Sequence, residues 1–198
     1  ITSTDSNTVG IYLDTLTTIP TGTMIDNQST GKISVTGDSS VGIYATGVGT
    51  FGINNSGEIT LGNSSSLSNP SIGIYSASTT NTIINDGKIT SGNQTVGIYG
   101  YNVNTTSNSD ITVGDKSIGI YSKANGGTSI TNNGTVIIGN SSDNNNPGVG
   151  IYSENSADTI VNNGAVSAGN SSVGIYINGG ILNQNNTVNI GNNGTGIY

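Results

Sequence analysis

Val41-Gly42-Ile43-Tyr44 is followed by Ile72-Gly73-Ile74-Tyr75, Val96-Gly97-Ile98-Tyr99 and Ile118-Gly119-Ile120-Tyr121, and further Gly-Ile-Tyr tripeptides end at Tyr12, Tyr152, Tyr176 and Tyr198. An apolar motif that keeps returning marks a buried position that keeps returning, so the chain is a repeat array. The intervals between successive tyrosines are unequal, but after the first one they recur in sets of three. Tyr44 maps to Tyr121, Tyr75 to Tyr152, Tyr99 to Tyr176 and Tyr121 to Tyr198, which defines a super-period of three units.

Each unit holds two further short apolar segments. One ends in a turn signal, as in Ile53-Asn54-Asn55-Ser56-Gly57 or Ile130-Thr131-Asn132-Asn133-Gly134. The other follows at once and alternates with period 2, as in Ile59-Thr60-Leu61 or Ile111-Thr112-Val113. The shortest unit, from Tyr99 to Tyr121, is too short for a propeller blade, and no unit carries the i, i+3, i+4 pattern of a helical repeat. The spacing predicts an all-β chain: a single right-handed parallel β-helix with three short strands per coil and about seven to eight coils. A coil rise of about 4.8 Å makes it a rod.

Composition agrees. Gly, Asn, Ser and Thr supply 115 of the 198 residues, and helix formers are scarce. Cys, His, Trp and Arg are absent. That removes disulfides, thiol nucleophiles, Cys/His metal sites and imidazole proton transfer, so no cofactor and no metal is expected. Four Lys against 11 carboxylates give a net charge of −7, which repels phosphate backbones, and no nucleic-acid partner is expected. No apolar run is long enough to span a bilayer, so no membrane contact is expected within this segment. The carboxylates are scattered, whereas glycoside hydrolysis needs a facing pair, and the expectation is a protein that is not an enzyme.

The strand register predicts one continuous interior from Val41, Ile43, Ile59, Leu61, Ile72, Ile74, Ile89, Val96, Ile98, Ile111, Val113, Ile118, Ile120, Val136, Ile138, Val149, Ile151, Val166, Val173, Ile175, Val188 and Ile190. The same period puts Tyr44 and its equivalents outward, as a sugar-binding column or as a structural ladder of rings packed on one another, with folding inward at a corner left open. Asn55, Asn85, Asn132 and Asn162 should stack along the axis, with Ser107 as the missing link. Lys32, Glu58, Lys88 and Asp110 should alternate in sign up one face. The outward row Ser34, Thr60, Thr90, Thr112, Ile137, Ser167 and Asn189 is too irregular for an ice-binding face.

Two units carry a six-residue extension at the same edge: Asn63-Ser64-Ser65-Ser66-Leu67-Ser68-Asn69-Pro70 and Asn140-Ser141-Ser142-Asp143-Asn144-Asn145-Asn146-Pro147. Long loops on solenoids often carry function, which makes these the candidate interaction residues; duplicated inserts without a partner are the plainer reading. A third irregularity, Leu13 to Thr23 with Leu16, Ile19 and Pro20, predicts a lateral excursion over the rod's flank.

Tandem Val/Ile-Gly-Ile-Tyr units alternating with Asn-Asn-Gly segments, in a cysteine-free Asn/Ser/Thr/Gly-rich chain, resemble the passenger repeats of large type V autotransporter adhesins, most closely the RadD-like outer-membrane adhesins of fusobacteria. The resemblance covers essentially the whole chain. It implies residues 1–198 as an internal segment of a larger passenger domain, extracellular on the outer membrane. It also implies a role in coaggregation or host attachment, with a host or bacterial surface protein or glycan as partner. A monomer is expected; the alternative is a homotrimeric fibre such as a phage tail fibre or trimeric adhesin stalk.

Overall fold

The computed structural model describes residues 1–15, 22–78, 81–142 and 147–198. Every regular element in them is a strand. The strands form three parallel sheets whose members recur every third element along the chain. A motif sheet of eight strands runs from Val9–Thr15 to Thr195–Ile197. A middle sheet of seven runs from Thr23–Asn27 to Ile181–Gln184, and a closing sheet of eight from Thr2–Ser3 to Val188–Ile190. The described residues thus build a parallel solenoid with three strands per coil. Each strand pairs only with its equivalents one coil above and below, so the turns between strands need no hydrogen-bond ladder of their own. The expected excursion at Leu16, Ile19 and Pro20 lies outside the described residues.

Register follows from stacking like on like. Ile59, Ile89, Ile111, Val136 and Val166 pair in succession on the closing sheet. On the motif sheet Ile43, Ile74, Ile98, Ile120, Ile151 and Ile175 do the same. These isoleucines are fully buried, each contributing about 1.5–3 kcal/mol by leaving water. The middle sheet adds a third wall, Ile25, Ile53, Ile83, Ile130 and Ile160, with Phe51 and Val103 beside it. The interior expected from sequence takes in the first and third strands alone and omits this wall.

One part of the expected interior is wrong. Val41, Ile72, Val96, Ile118, Val149 and Val173 do not belong to the core cluster. Val41, Ile72, Ile118 and Val173 are only half-buried, whereas Val96 and Val149, at 3% and 5% exposure, are buried as expected although they stand outside that cluster. The reason is the motif glycine. It drops out of residue-by-residue pairing between coils, so strict alternation fails there and both glycine and the following isoleucine turn inward. A Cβ at Gly97 would lie 2.5 Å from the Gly119 carbonyl oxygen and 2.7 Å from Cγ2 of Ile111. Only glycine lets the motif sheet lie that close to the closing sheet. The preceding Val or Ile is thereby left on the outer face, next to the tyrosine.

Polar ladders complete the frame. The Asn27 amide donates to Asn55 at 2.7 Å, Asn55 to Asn85 at 2.7 Å, and Asn132 to Asn162 at 2.8 Å, all buried. Asn85 instead donates to the Ser107 hydroxyl at 3.2 Å, which in turn donates to the Ser109 carbonyl. Oδ1 of Asn132 is consequently the one buried side-chain atom left unpaired among the described residues. The expected row and its weak link at Ser107 are both present. Of the expected charge row, Lys32 and Glu58 form an ion pair at 3.2 Å, while Lys88 joins no ion pair among the described residues.

Candidate functional site

The outer face of the motif sheet is the most distinctive surface of the rod. All eight motif tyrosines stand on it, at centroid separations from 4.7 Å (Tyr152–Tyr176) to 5.2 Å (Tyr12–Tyr44). Most neighbours lie nearly parallel. Tyr121 is the exception, turned 86° from Tyr99 and 68° from Tyr152. Its hydroxyl donates to the Glu154 carboxylate, which also pairs with Lys123 at 3.6 Å. The column stands on the outer face, where strand alternation puts it, rather than folding inward at a corner, and the rings pack on one another.

Partial burial shapes their acidity. Loss of hydration disfavours phenolate, so Tyr99 is pushed up to about 12. Tyr75 and Tyr152 are raised for the same leading reason. Burial also leads at Tyr121, where the hydrogen bond to Glu154 holds the proton further. At Tyr12 the leading cause is instead its hydrogen bond to Asp14. These rings therefore stay neutral across physiological pH.

Beside the rings runs the outward Val/Ile column, and at its edge lie the corners of the rod. Corners without an insert turn through a single left-handed residue: Ser39, Gln94, Lys116, Ser171 and Asn193 all have φ between 53° and 57°. The inserts replace that turn. In the first, Asn63 Oδ1 accepts the Asn93 amide at 2.8 Å, and Ser64 is buried with its hydroxyl accepting the Ser71 amide at 2.5 Å. Ser65 N–H donates to Asp38 at 3.0 Å, and the Ser68 amide donates to the Ser66 hydroxyl at 3.0 Å. Asn69 O accepts from Ser39 at 3.0 Å, and Pro70 closes the loop. In the second, Asn140 Oδ1 accepts the Asn170 amide at 2.9 Å, Ser141 is buried, Ser142 is exposed and Pro147 is half-buried. Asp143, Asn144, Asn145 and Asn146 lie outside the described residues.

The two inserts and the tyrosine column meet. Leu67 of the first loop and Pro147 of the second flank a groove of about 300 Å³ floored by Ile118, Val149, Val173, Tyr152 and Tyr176, with Lys116 at its rim. Toward the first loop it opens into a polar hollow formed by Ser66, Ser68, Gln94 and Lys116. Toward the C-terminus it continues past Tyr176 to Thr195 and Tyr198. Of the candidate residues, Ser66, Leu67, Ser68 and Pro147 line this surface. Asn63, Ser64, Asn140 and Ser141 belong to the frame.

Two features were not anticipated. Asn63, Asn93, Asp115, Asn140, Asn170 and Asn192 form a corner ladder, each side-chain oxygen accepting the backbone N–H of the next member. Its signal was present, because each follows a corner glycine. The other is Asp158, fully buried, whose oxygens accept Ser153 Oγ at 2.6 Å, Ser122 Oγ at 3.3 Å, Thr128 N at 2.8 Å and Thr128 Oγ1 at 3.0 Å. It lies one super-period after Asn81, which holds the Phe51 amide at 3.0 Å. No group of three or more acidic side chains is placed to hold a metal among the described residues.

Against known families, residues 1–109 match the BigA third pectate lyase-like domain. No curated protein and no solved structure matches the chain. The match and the three-sheet solenoid together fit passenger-domain repeats. Since the matched stretch is more than half of the 198 residues, and its motif, corners and sheet order run on unchanged through the remainder, the chain belongs to the BigA third pectate lyase-like domain family.

Proposed function

We propose that this chain is a structural and display segment of a bacterial cell-surface autotransporter adhesin, a rod that extends and presents binding surfaces for adhesion or coaggregation. BigA, for which the family is named, is an autotransporter-like adhesin. The observation that carries the reading is the repetition of one coil plan: the isoleucine walls of the interior and the three-sheet order recur coil after coil, while the two insert loops extend the same edge beside the tyrosine face. RadD-like membership and a place on the outer membrane are the finer form of the same proposal, resting on the Gly-Ile-Tyr and Asn-Asn-Gly repeat style. The test is surface display on a non-adherent bacterium. Adhesion or coaggregation above that of a display control supports the role, and none, with the chain folded and exposed, refutes it.

The chain is read as a monomer because its three sheets enclose their own core, which a trimer sharing an interior would not need. Light scattering decides: an obligate trimer overturns it. It is read as non-catalytic despite the lyase-like family name. Asp158 is saturated by donors, Glu154 is held by Tyr121 and Lys123, and no His, Cys or Arg stands beside either. Eliminative cleavage of a uronate polymer by the purified chain would refute that.

A further inference from the structure

We infer that the groove between the two insert loops binds an acidic glycan, a chain of pyranose rings bearing a carboxylate, with Lys116 as its charge-reading residue. This rests on the display reading above and names the ligand class for one surface of it.

The floor is apolar and aromatic. Ile118, Val149, Tyr152 and Tyr176 present C–H surface and ring edges, the complement of a pyranose C–H face. The rim is different. Ser66, Ser68 and Gln94 supply hydroxyl and amide groups that can both donate to and accept from sugar hydroxyls, and Lys116 borders both halves. An apolar bed with a polar rim along one side suits a ligand amphipathic by face, which a sugar is.

Charge selects among sugars. The chain has a net charge of −7 and only four lysines, yet among the described residues lining this groove the one charged side chain is a lysine. The described residues contain two ion pairs, Lys32–Glu58 and Lys123–Glu154, and Lys116 is in neither. Its neighbour Asp115 is committed elsewhere, with Oδ1 accepting the Asn140 amide at 2.7 Å. Lys116 is also held in the left-handed region at φ 54°, which fixes its stem at the corner between the loops. An ammonium so placed favours a carboxylate over a neutral ring.

The groove runs along the rod. It lies between the two loops and continues to Tyr198, so ring after ring of a linear glycan can follow tyrosines spaced 4.7 Å and 5.1 Å apart.

The test titrates the 198-residue chain, by calorimetry and by the ring-proton resonances of its tyrosines, with a sialylated trisaccharide and with an oligogalacturonate. The neutral counterparts are lactose and the methyl-esterified oligogalacturonate, and hexaglutamate tests for an acidic peptide. The expected result is that at least one acidic sugar binds about tenfold or more tighter than its neutral counterpart, and which one does so identifies the source. Shifts should centre on Tyr152 and Tyr176. Lys116→Asn, a residue type at home in the left-handed region, should abolish the preference, while Lys88→Asn should leave it intact. Equal binding of acidic and neutral sugars, a preference that survives Lys116→Asn, binding of hexaglutamate alone, or no sugar binding at millimolar concentration overturns the proposal. Cell adhesion of the displayed chain separates the two readings: adhesion unchanged by Lys116→Asn sinks the groove and leaves the display role standing.

Discussion

Replacing Gly97 by alanine adds one methyl group where the motif sheet lies hard against the next coil, and the same strand carries its own control. The new Cβ would lie 2.5 Å from the carbonyl oxygen of Gly119 in the next coil and 2.7 Å from Cγ2 of Ile111. Cβ atoms do not approach closer than 3.0 Å, so a backbone oxygen must retreat from 2.5 Å to that limit or beyond. That oxygen belongs to the next motif glycine, which is itself pressed against Gly150, so the shift would propagate along the column. Overpacking of this kind costs about 1–3 kcal/mol. Alanine also narrows the unfolded ensemble, returning about 0.4–1 kcal/mol. The net expectation is a loss of roughly 1–2 kcal/mol. At Gly100, three residues on, a Cβ would meet Thr105 Oγ1 at 3.2 Å and Val103 Cβ at 3.5 Å, and the stacked neighbours there are Ser76 and Ser122. Gly100→Ala should be neutral or stabilising by up to about 1 kcal/mol. Equilibrium urea unfolding followed by far-ultraviolet circular dichroism gives both midpoints and slopes. If Gly97→Ala unfolds no earlier than Gly100→Ala, the account of why the motif contains glycine is wrong.

Three other expectations follow from the ladders and the rings. Ser107→Asn should supply a side-chain donor for Oδ1 of Asn132 and join the two halves of the buried row, raising stability by about 0.5–1.5 kcal/mol; a lowered urea midpoint would show that the site is too narrow for an amide. Asp158→Ala strands buried donors on Ser122, Thr128 and Ser153 and should cost about 3 kcal/mol or more, read as a fall in melting temperature; an unchanged melt would mean that water reaches them. Burial raises Tyr75, Tyr99, Tyr121 and Tyr152 above their unfolded value of 10.0, so their contribution is fully present below pH 10 and is lost as pH rises through about 12 for Tyr99. The urea midpoint should fall across that window while phenolate absorbance lags, and nine tyrosines titrating together near 10 would contradict the partial burial.

The fold was legible because it is written several times. Once Ile53, Ile83, Ile130 and Ile160 fall at equivalent places, three strands per coil and their offsets follow, and pairing of Lys32 with Glu58 confirms the alignment. What escaped is the place where alternation fails. Period-2 logic sets Val96 and Ile98 on one face, whereas a glycine between them lets Val96 turn outward; that depends on Ile111 and Gly119, which are remote in sequence. The groove was legible only in pieces. The two loops and the tyrosines were each marked, but the meeting of Leu67, Pro147 and Tyr176 joins residues remote in sequence, and Lys116 carries no local sign of it.

Asparagine is its own partner: one end of the amide gives what the other end takes. The inner row donates toward higher residue numbers, from Asn27 through Asn55 to Asn85, whereas the row beside it donates the other way, from Asn185 through Asn163 and Asn133 to Asn108. A coil copied in the gene and inserted anywhere in the stack meets, above and below, the same two half-bonds it came from. No new interface has to be invented, and the three-coil super-period bears the mark of one such copying event, with the loop at its edge carried along. Length in this architecture is thus a quantity that recombination can adjust in whole coils, while the outer face remains free to diverge.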